Sequence, residues 1–189
     1  LLRWRYQRYL HDYLATVKAL DENVGRVLDY LDQEGLAENT VVIYASDQGF
    51  YLGEHGWFDK RWIYEESLRM PFVIRWPGMV KPGTRFTELI QNIDYAPTFM
   101  EIAGGKIPTN LHGRSLVPVL KGATPPDWRQ SIYYHWFSTG GHMVPIHYGV
   151  RTSRHTLAYF TATHEGELLD LEKDPLQMRS VSADPGQST

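Results

Sequence analysis

The sequence contains no cysteine, which rules out a disulfide framework, a thiolate metal site and a cysteine nucleophile within it. It also lacks a long hydrophobic run. No apolar stretch approaches the ~20 residues a membrane-spanning helix needs, and the charged opening LLRWRYQRYLHDYL does not read as a signal peptide. There is no initiator methionine, so the chain is expected to be a piece of something longer. An excess of one charge is missing too: 19 Lys and Arg stand against 22 Asp and Glu, a net charge of -3. That is too mild to point to nucleic acid or to a strongly steering field. Internal repeats and low-complexity tracts are absent. What remains is 189 residues with 42% hydrophobic and 22% charged content, the composition of a globular protein with a real core.

Apolar residues at Leu10, Tyr13, Leu14, Val17, Leu20, Val24, Val27, Leu28 and Leu31 recur at three and four, predicting one long amphipathic helix that Gly35 ends. Asp21 falls on that stripe, either as a buried polar contact or as a residue at its edge reaching solvent. The run Val41 to Ala45 reads as a fully buried strand, because β-branched and aromatic residues follow one another without polar alternation. A short helix is expected over 63–68, a strand over 71–76 stopped by Pro77-Gly78, a helix over 95–104 and a short apolar helical turn in SLVPVLKG. KGATPPDW reads as a linker. Beyond it SIYYHW, YGVRT, TLAYFT and ELLDLE are four strand candidates of a small antiparallel sheet, and SADPGQST reads as a frayed tail. The fold class is therefore α/β, with residues 1–122 in an α/β core and 123–189 in a small C-terminal α+β subdomain.

The chemistry-bearing residues cluster where the first strand ends, the place where open α/β sheets gather their ligand-binding loops. Asp47 and Gln48 offer a carboxylate and an amide carbonyl, hard oxygen donors of the kind Ca²⁺ or Mg²⁺ takes, although Asp-Gln-Gly is also an ordinary turn. Gly49, Gly53 and Gly56 permit tight folding and close approach. Lys60, thirteen positions after Asp47, supplies a point cation suited to a tetrahedral oxyanion. His55 either gives a proton to a leaving oxygen or bonds a sulfate or phosphate, or it orients the loop. Glu65 and Arg69 have the i, i+4 spacing of a surface ion pair.

The segment NTVVIYASDQGFYLGEHGWFDKRWIYEESLRMPFVIRWPG resembles the C-terminal part of type I sulfatases, members of the alkaline phosphatase superfamily. It is most similar to bacterial enzymes of the N-acetylglucosamine-6-sulfatase-like and iduronate-2-sulfatase-like groups. ALDENVGRVLDYL, NIDYAPTFMEIAG, GRSLVPVL, HYGVRT and LLDLEKDP extend the likeness through most of the chain. The resemblance implies part of an alkaline-phosphatase-like α/β sandwich followed by the small sheet. It also implies Asp47 and Gln48 as two Ca²⁺ ligands, Lys60 on the sulfate ester, and a sulfated carbohydrate as substrate. A periplasmic, extracellular or lysosome-like setting is implied as well.

Sulfatases of this family carry a formylglycine made from Cys or Ser in a Cys/Ser-x-Pro-x-Arg motif, and no such motif occurs here. By resemblance, the nucleophile and the other metal ligands lie on an N-terminal part of the same enzyme, and the chain alone is expected to be inactive. GGHMVPIHYGVRT is expected to shape the sugar pocket through His142, His147 and Arg151, with Gly140 and Gly141 freeing the loop and Tyr148 offering a ring face. The alternative is that His147 and Arg151 are inward and outward residues of one strand, satisfied by neighbours. Two other functions stay open: a phosphodiesterase or phosphonate monoester hydrolase of the same superfamily, and a non-catalytic carbohydrate-contacting piece.

Overall fold

The computed structural model describes residues 2–138, 140 and 142–182. Along the chain run α1 (Leu2–Gln33), β1 (Val42–Ala45), β2 (Tyr51–Leu52), β3 (Phe58–Asp59), α2 (Glu65–Leu68), β4 (Phe72–Arg75), α3 (Tyr95–Ile102) and α4 (Val117–Leu120). Four longer strands follow: β5 (Ser131–Trp136), β6 (His147–Thr152), β7 (His155–Phe160) and β8 (Glu165–Asp170). The expected helices and strands are all present, as is the antiparallel sheet near the C-terminal end. Gly141 and all but the first residue of the expected frayed tail lie outside the described residues. Among the described residues no helix is long and apolar enough to cross a membrane.

The chain divides into two compact units. One comprises the residues up to Tyr44 with Phe72–Gly83. Its long helix α1 ends as the sequence predicts. Gly35 takes a left-handed φ of 66°, its N–H bonds the Asp32 carbonyl at 3.2 Å and the next N–H, of Leu36, bonds the Leu31 carbonyl at 2.9 Å. These paired bonds consume carbonyls that the last turn leaves without helical partners. No residue of α1 is buried, and Asp21 is exposed. β1 and β4 pair with each other as a two-stranded sheet. That pairing covers β1 only in part and leaves Tyr44 exposed, where the apolar run had suggested full burial. Within this unit the Arg75 guanidinium donates to the Asp32 carboxylate at 2.7 Å, an exposed ion pair.

The other unit comprises Ala45–Pro71 and the chain from Thr84 onward. Its sheet is an up-and-down meander in the order β5-β6-β7-β8, every neighbour antiparallel. Tyr133 pairs with Val150, Val150 with Leu157 and Leu157 with Leu168, which fixes the register across all four strands. Gly149 is dictated by packing, since a Cβ there would stand 2.0 Å from the Leu157 carbonyl oxygen and 2.5 Å from Ile63 Cδ1. Ahead of the sheet in the same unit, α3 and α4 are pinned by Asp94, which is wholly buried. Its carboxylate accepts N–H bonds from Gln91 and Arg114 at 2.8 Å each and a two-pronged ion pair from Arg129, one prong at 2.7 Å. A buried carboxylate is tolerated only when its lone pairs are filled in this way.

Candidate functional site

The site begins where β1 ends. The Ser46 hydroxyl donates to the Gln48 carbonyl at 2.7 Å and accepts the Gln48 N–H at 3.3 Å, closing a turn in which Asp47 is exposed and Gln48 half-buried. Gly49 then donates its N–H to the Ser67 carbonyl at 2.8 Å. A Cβ at position 49 would lie 1.9 Å from the Glu66 carbonyl oxygen, so close approach of two backbones, and not a left-handed φ, demands glycine here. Asp47 and Gln48 present two hard oxygen donors, the right chemistry for Ca²⁺ but short of the six to eight it takes. Among the described residues no group of three or more His, Cys, Asp or Glu side chains could hold a metal ion.

The following loop is a two-residue-per-strand hairpin. Tyr51 pairs with Asp59 and Leu52 with Phe58. Three of its non-glycine residues hold left-handed φ values, His55 at 54°, Asp59 at 78° and Arg61 at 96°. Such conformations cost of order 1–3 kcal/mol each and persist where surrounding contacts over-determine them, which is typical of functional sites. Lys60 sits between two of them, its Nζ 4.0 Å from the Asp59 carboxylate. The Arg61 guanidinium pairs with the same carboxylate and lies over the Trp136 ring, 5.9 Å from its centre.

Lys60, Asp59 and Arg61 line a cavity of about 300 Å³ with Trp57, Trp62 and the exposed His142. That volume is at the lower end for small-molecule sites. Trp57 and Trp62 stack with ring centres 4.2 Å apart and planes 5° from parallel, which gives the cavity a rigid aromatic wall. His55 is further inside. Its ring lies 4.9 Å from Tyr64 and 5.4 Å from Trp57, with Nε2 3.5 Å from a Glu66 carboxylate oxygen.

The four-stranded sheet braces this loop. The Tyr134 hydroxyl donates to the Arg61 carbonyl at 2.5 Å and the Tyr64 hydroxyl to Glu167 at 2.5 Å. Burial pushes the Tyr134 hydroxyl pKa upward, which keeps it a donor. Arg151 donates to Glu65 at 2.6 Å, so Glu65 pairs across the unit and not with Arg69, which is exposed. His147 is wholly buried. Its Nδ1 bonds the Pro145 carbonyl at 2.8 Å, and its ring stacks 5.6 Å from Trp62. Burial lowers its pKa below the ordinary 6.5.

The structure thus brings Lys60 and His142 to one cavity and places His147 and Arg151 behind it. These two residues are four apart on β6 and share a face, because side chains alternate with period two; they are not the inward and outward pair that was one expectation. Sequence reasoning missed Asp59 and Arg61. Their signal was adjacency, since they flank the lysine already singled out.

The family model described as N-sulphoglucosamine sulphohydrolase, C-terminal, matches residues 53–189. The chain belongs to the sulfatase family. Similar to it is an N-acetylglucosamine-6-O-sulfatase of Bacteroides thetaiotaomicron, 48% identical over 185 residues that cover 96% of this chain and 33% of that protein. A protein solved in complex with its substrate D-glucosamine-2-N,6-O-disulfate is 47% identical with a TM-score of 0.91, over 96% of this chain and 37% of that one. A phosphonate monoester hydrolase from Silicibacter pomeroyi is 30% identical with a TM-score of 0.74, over 87% and 35%. The sulfatases among the solved neighbours have the alkaline phosphatase fold. The chain spans about a third of the length of the curated relatives it matches.

Proposed function

We propose that this chain supplies half of the active site of a sulfatase that hydrolyses sulfate esters of carbohydrates, with 6-O-sulfated glucosamine as the substrate class. The observation that carries this reading is Lys60, held between the left-handed Asp59 and Arg61 at the edge of a sugar-sized, tryptophan-walled cavity, in a chain 48% identical to an N-acetylglucosamine-6-O-sulfatase. The Lys60 ammonium pairs with the sulfate oxygens and offsets the charge that grows on them as the ester bond breaks. Asp59 accepts from a sugar hydroxyl and Arg61 donates to one, while the Trp57–Trp62 wall meets the apolar face of the ring. His142 closes the rim.

His147 and Arg151 act on the loop from behind, through Trp62 and Glu65. His55, packed between Tyr64 and Trp57, orients the hairpin. Asp47 and Gln48 would hold Ca²⁺ together with donors from outside this chain, and the bound ion would supply further positive charge against the sulfate. The nucleophile also lies outside this chain, which alone is inactive.

The test is sulfate release from 6-O-sulfated N-acetylglucosamine by the intact enzyme, followed by ion chromatography, with a phosphonate monoester in parallel. Sulfate release that a chelator abolishes supports the reading. Turnover of the phosphonate with no sulfate released would instead favour the second reading, a phosphonate monoester hydrolase, which the 30% identical neighbour motivates.

A further inference from the structure

The two halves of the candidate site reach the same short helix. From one side, the Gly49 N–H, directly after Asp47 and Gln48, donates to the Ser67 carbonyl at 2.8 Å. From the other, the Arg61 N–H, directly after Lys60, donates to the Ser67 hydroxyl at 3.0 Å. Ser67 is buried, so each of these bonds is made away from competing water, where an unfilled N–H is costly. The preceding residue repeats the pattern. The Glu66 carbonyl is the group against which Gly49 packs, and the Glu66 carboxylate faces His55 Nε2 on the hairpin at 3.5 Å. The Tyr51 hydroxyl, also buried, responds to Glu66: burial first and the Glu66 charge second raise its pKa.

We propose that Ser67, supported by Glu66 and His55, is a positioning residue that sets the Lys60 segment against the Asp47–Gln48 turn. It touches no substrate. It acts by fixing the separation of an oxyanion-binding cation from two metal-ligand candidates, and small misplacements of such groups carry large costs in rate. This inference rests on the proposed sulfatase function for its catalytic consequence, but not for the coupling itself.

The test uses Ser67→Ala and Ser67→Cys in the full-length enzyme. Both remove a good acceptor for the Arg61 N–H and leave the carbonyl that holds Gly49. The cysteine fills the space, so a shared defect identifies the lost hydrogen bond and not a cavity. The expected result is a kcat lower by about tenfold in both variants with KM changed less than twofold. Amide hydrogen exchange should also be faster by about tenfold in peptides covering 46–49 as well as 58–62, a coupling of the usual size between packed segments. Faster exchange confined to 58–62 would overturn the proposal, as would a Ser67→Cys enzyme with wild-type kcat and exchange. An enzyme that releases no sulfate from any substrate refutes the proposed function, while the exchange measurement still decides this one.

Discussion

Two stretches of the second unit are built on opposite rules. The sheet β5 to β8 is regular: each strand is six residues long, each is antiparallel to its neighbour, and its register runs unbroken. The hairpin from Tyr51 to Arg61 has strands of two residues and three non-glycine residues in left-handed conformations. A two-stranded ribbon of that length has no stability of its own. What holds it are side chains that reach from the sheet, Tyr134 to the Arg61 carbonyl and His147 against Trp62, together with Arg151 on Glu65 of α2 just beyond it. The regular element spends its bonds on itself and lends its face to the irregular one, which can then hold a lysine, an arginine and an aspartate in a geometry that no local propensity would select.

The largest effect that would sharpen this contrast lies at the cavity. Lys60→Ala is expected to lower kcat/KM of the intact enzyme on a 6-O-sulfated glucosamine by on the order of 10²-fold or more, with the thermal midpoint shifted by no more than a degree or two. An equal loss of stability and activity would mean that Lys60 belongs to the frame and not to the chemistry. Next comes Gly49→Ala, which sets a methyl group 1.9 Å from the Glu66 carbonyl. Overpacking of this kind typically costs about 1–3 kcal/mol, read as a lower urea midpoint with an unchanged slope. Wild-type stability would show that the turn and α2 are free to separate.

The smallest effect concerns pH. His147 has a folded-state pKa below its ordinary 6.5 because burial disfavours the cation. Below 6.5 the unfolded chain therefore takes up a proton that the folded one resists. Stability from this group is complete above pH 6.5 and falls as pH drops toward the folded-state pKa. His147→Gln is expected to make the decline between pH 7 and pH 5.5 shallower, as followed by urea unfolding at each pH. An unaltered slope would place the acid sensitivity elsewhere.

The same contrast explains what could be read from the amino-acid order. Strands such as SIYYHW and TLAYFT announce themselves by β-branched and aromatic runs between turn residues, and their observed limits, Ser131–Trp136 and His155–Phe160, follow those runs closely. Helix ends at Gly35 and Gly104 were legible because glycine at a left-handed position is a local requirement. The hairpin was not legible. Two residues cannot display a period, and the contacts that sustain it, Arg151 with Glu65 or Tyr134 with the Arg61 carbonyl, join positions 86 and 73 residues apart. Asp47, Gln48 and Lys60 stood out by residue type. That Asp59 and Arg61 share the lysine's cavity depends on their backbone angles, which nothing in the neighbouring residues encodes.

The Asp94 carboxylate has a consequence for how this protein comes apart. Its donors are drawn from Gln91, Arg114 and Arg129, so one anion closes loops of 20 and 35 residues at once. None of the three donors can leave without exposing a charge that the others must still shield. The stretch from Gln91 to Arg129 should therefore open as one cooperative block, its amides exchanging together at a single free energy and not fraying helix by helix. In a folding chain, the same stretch would lock only after its far end had been made.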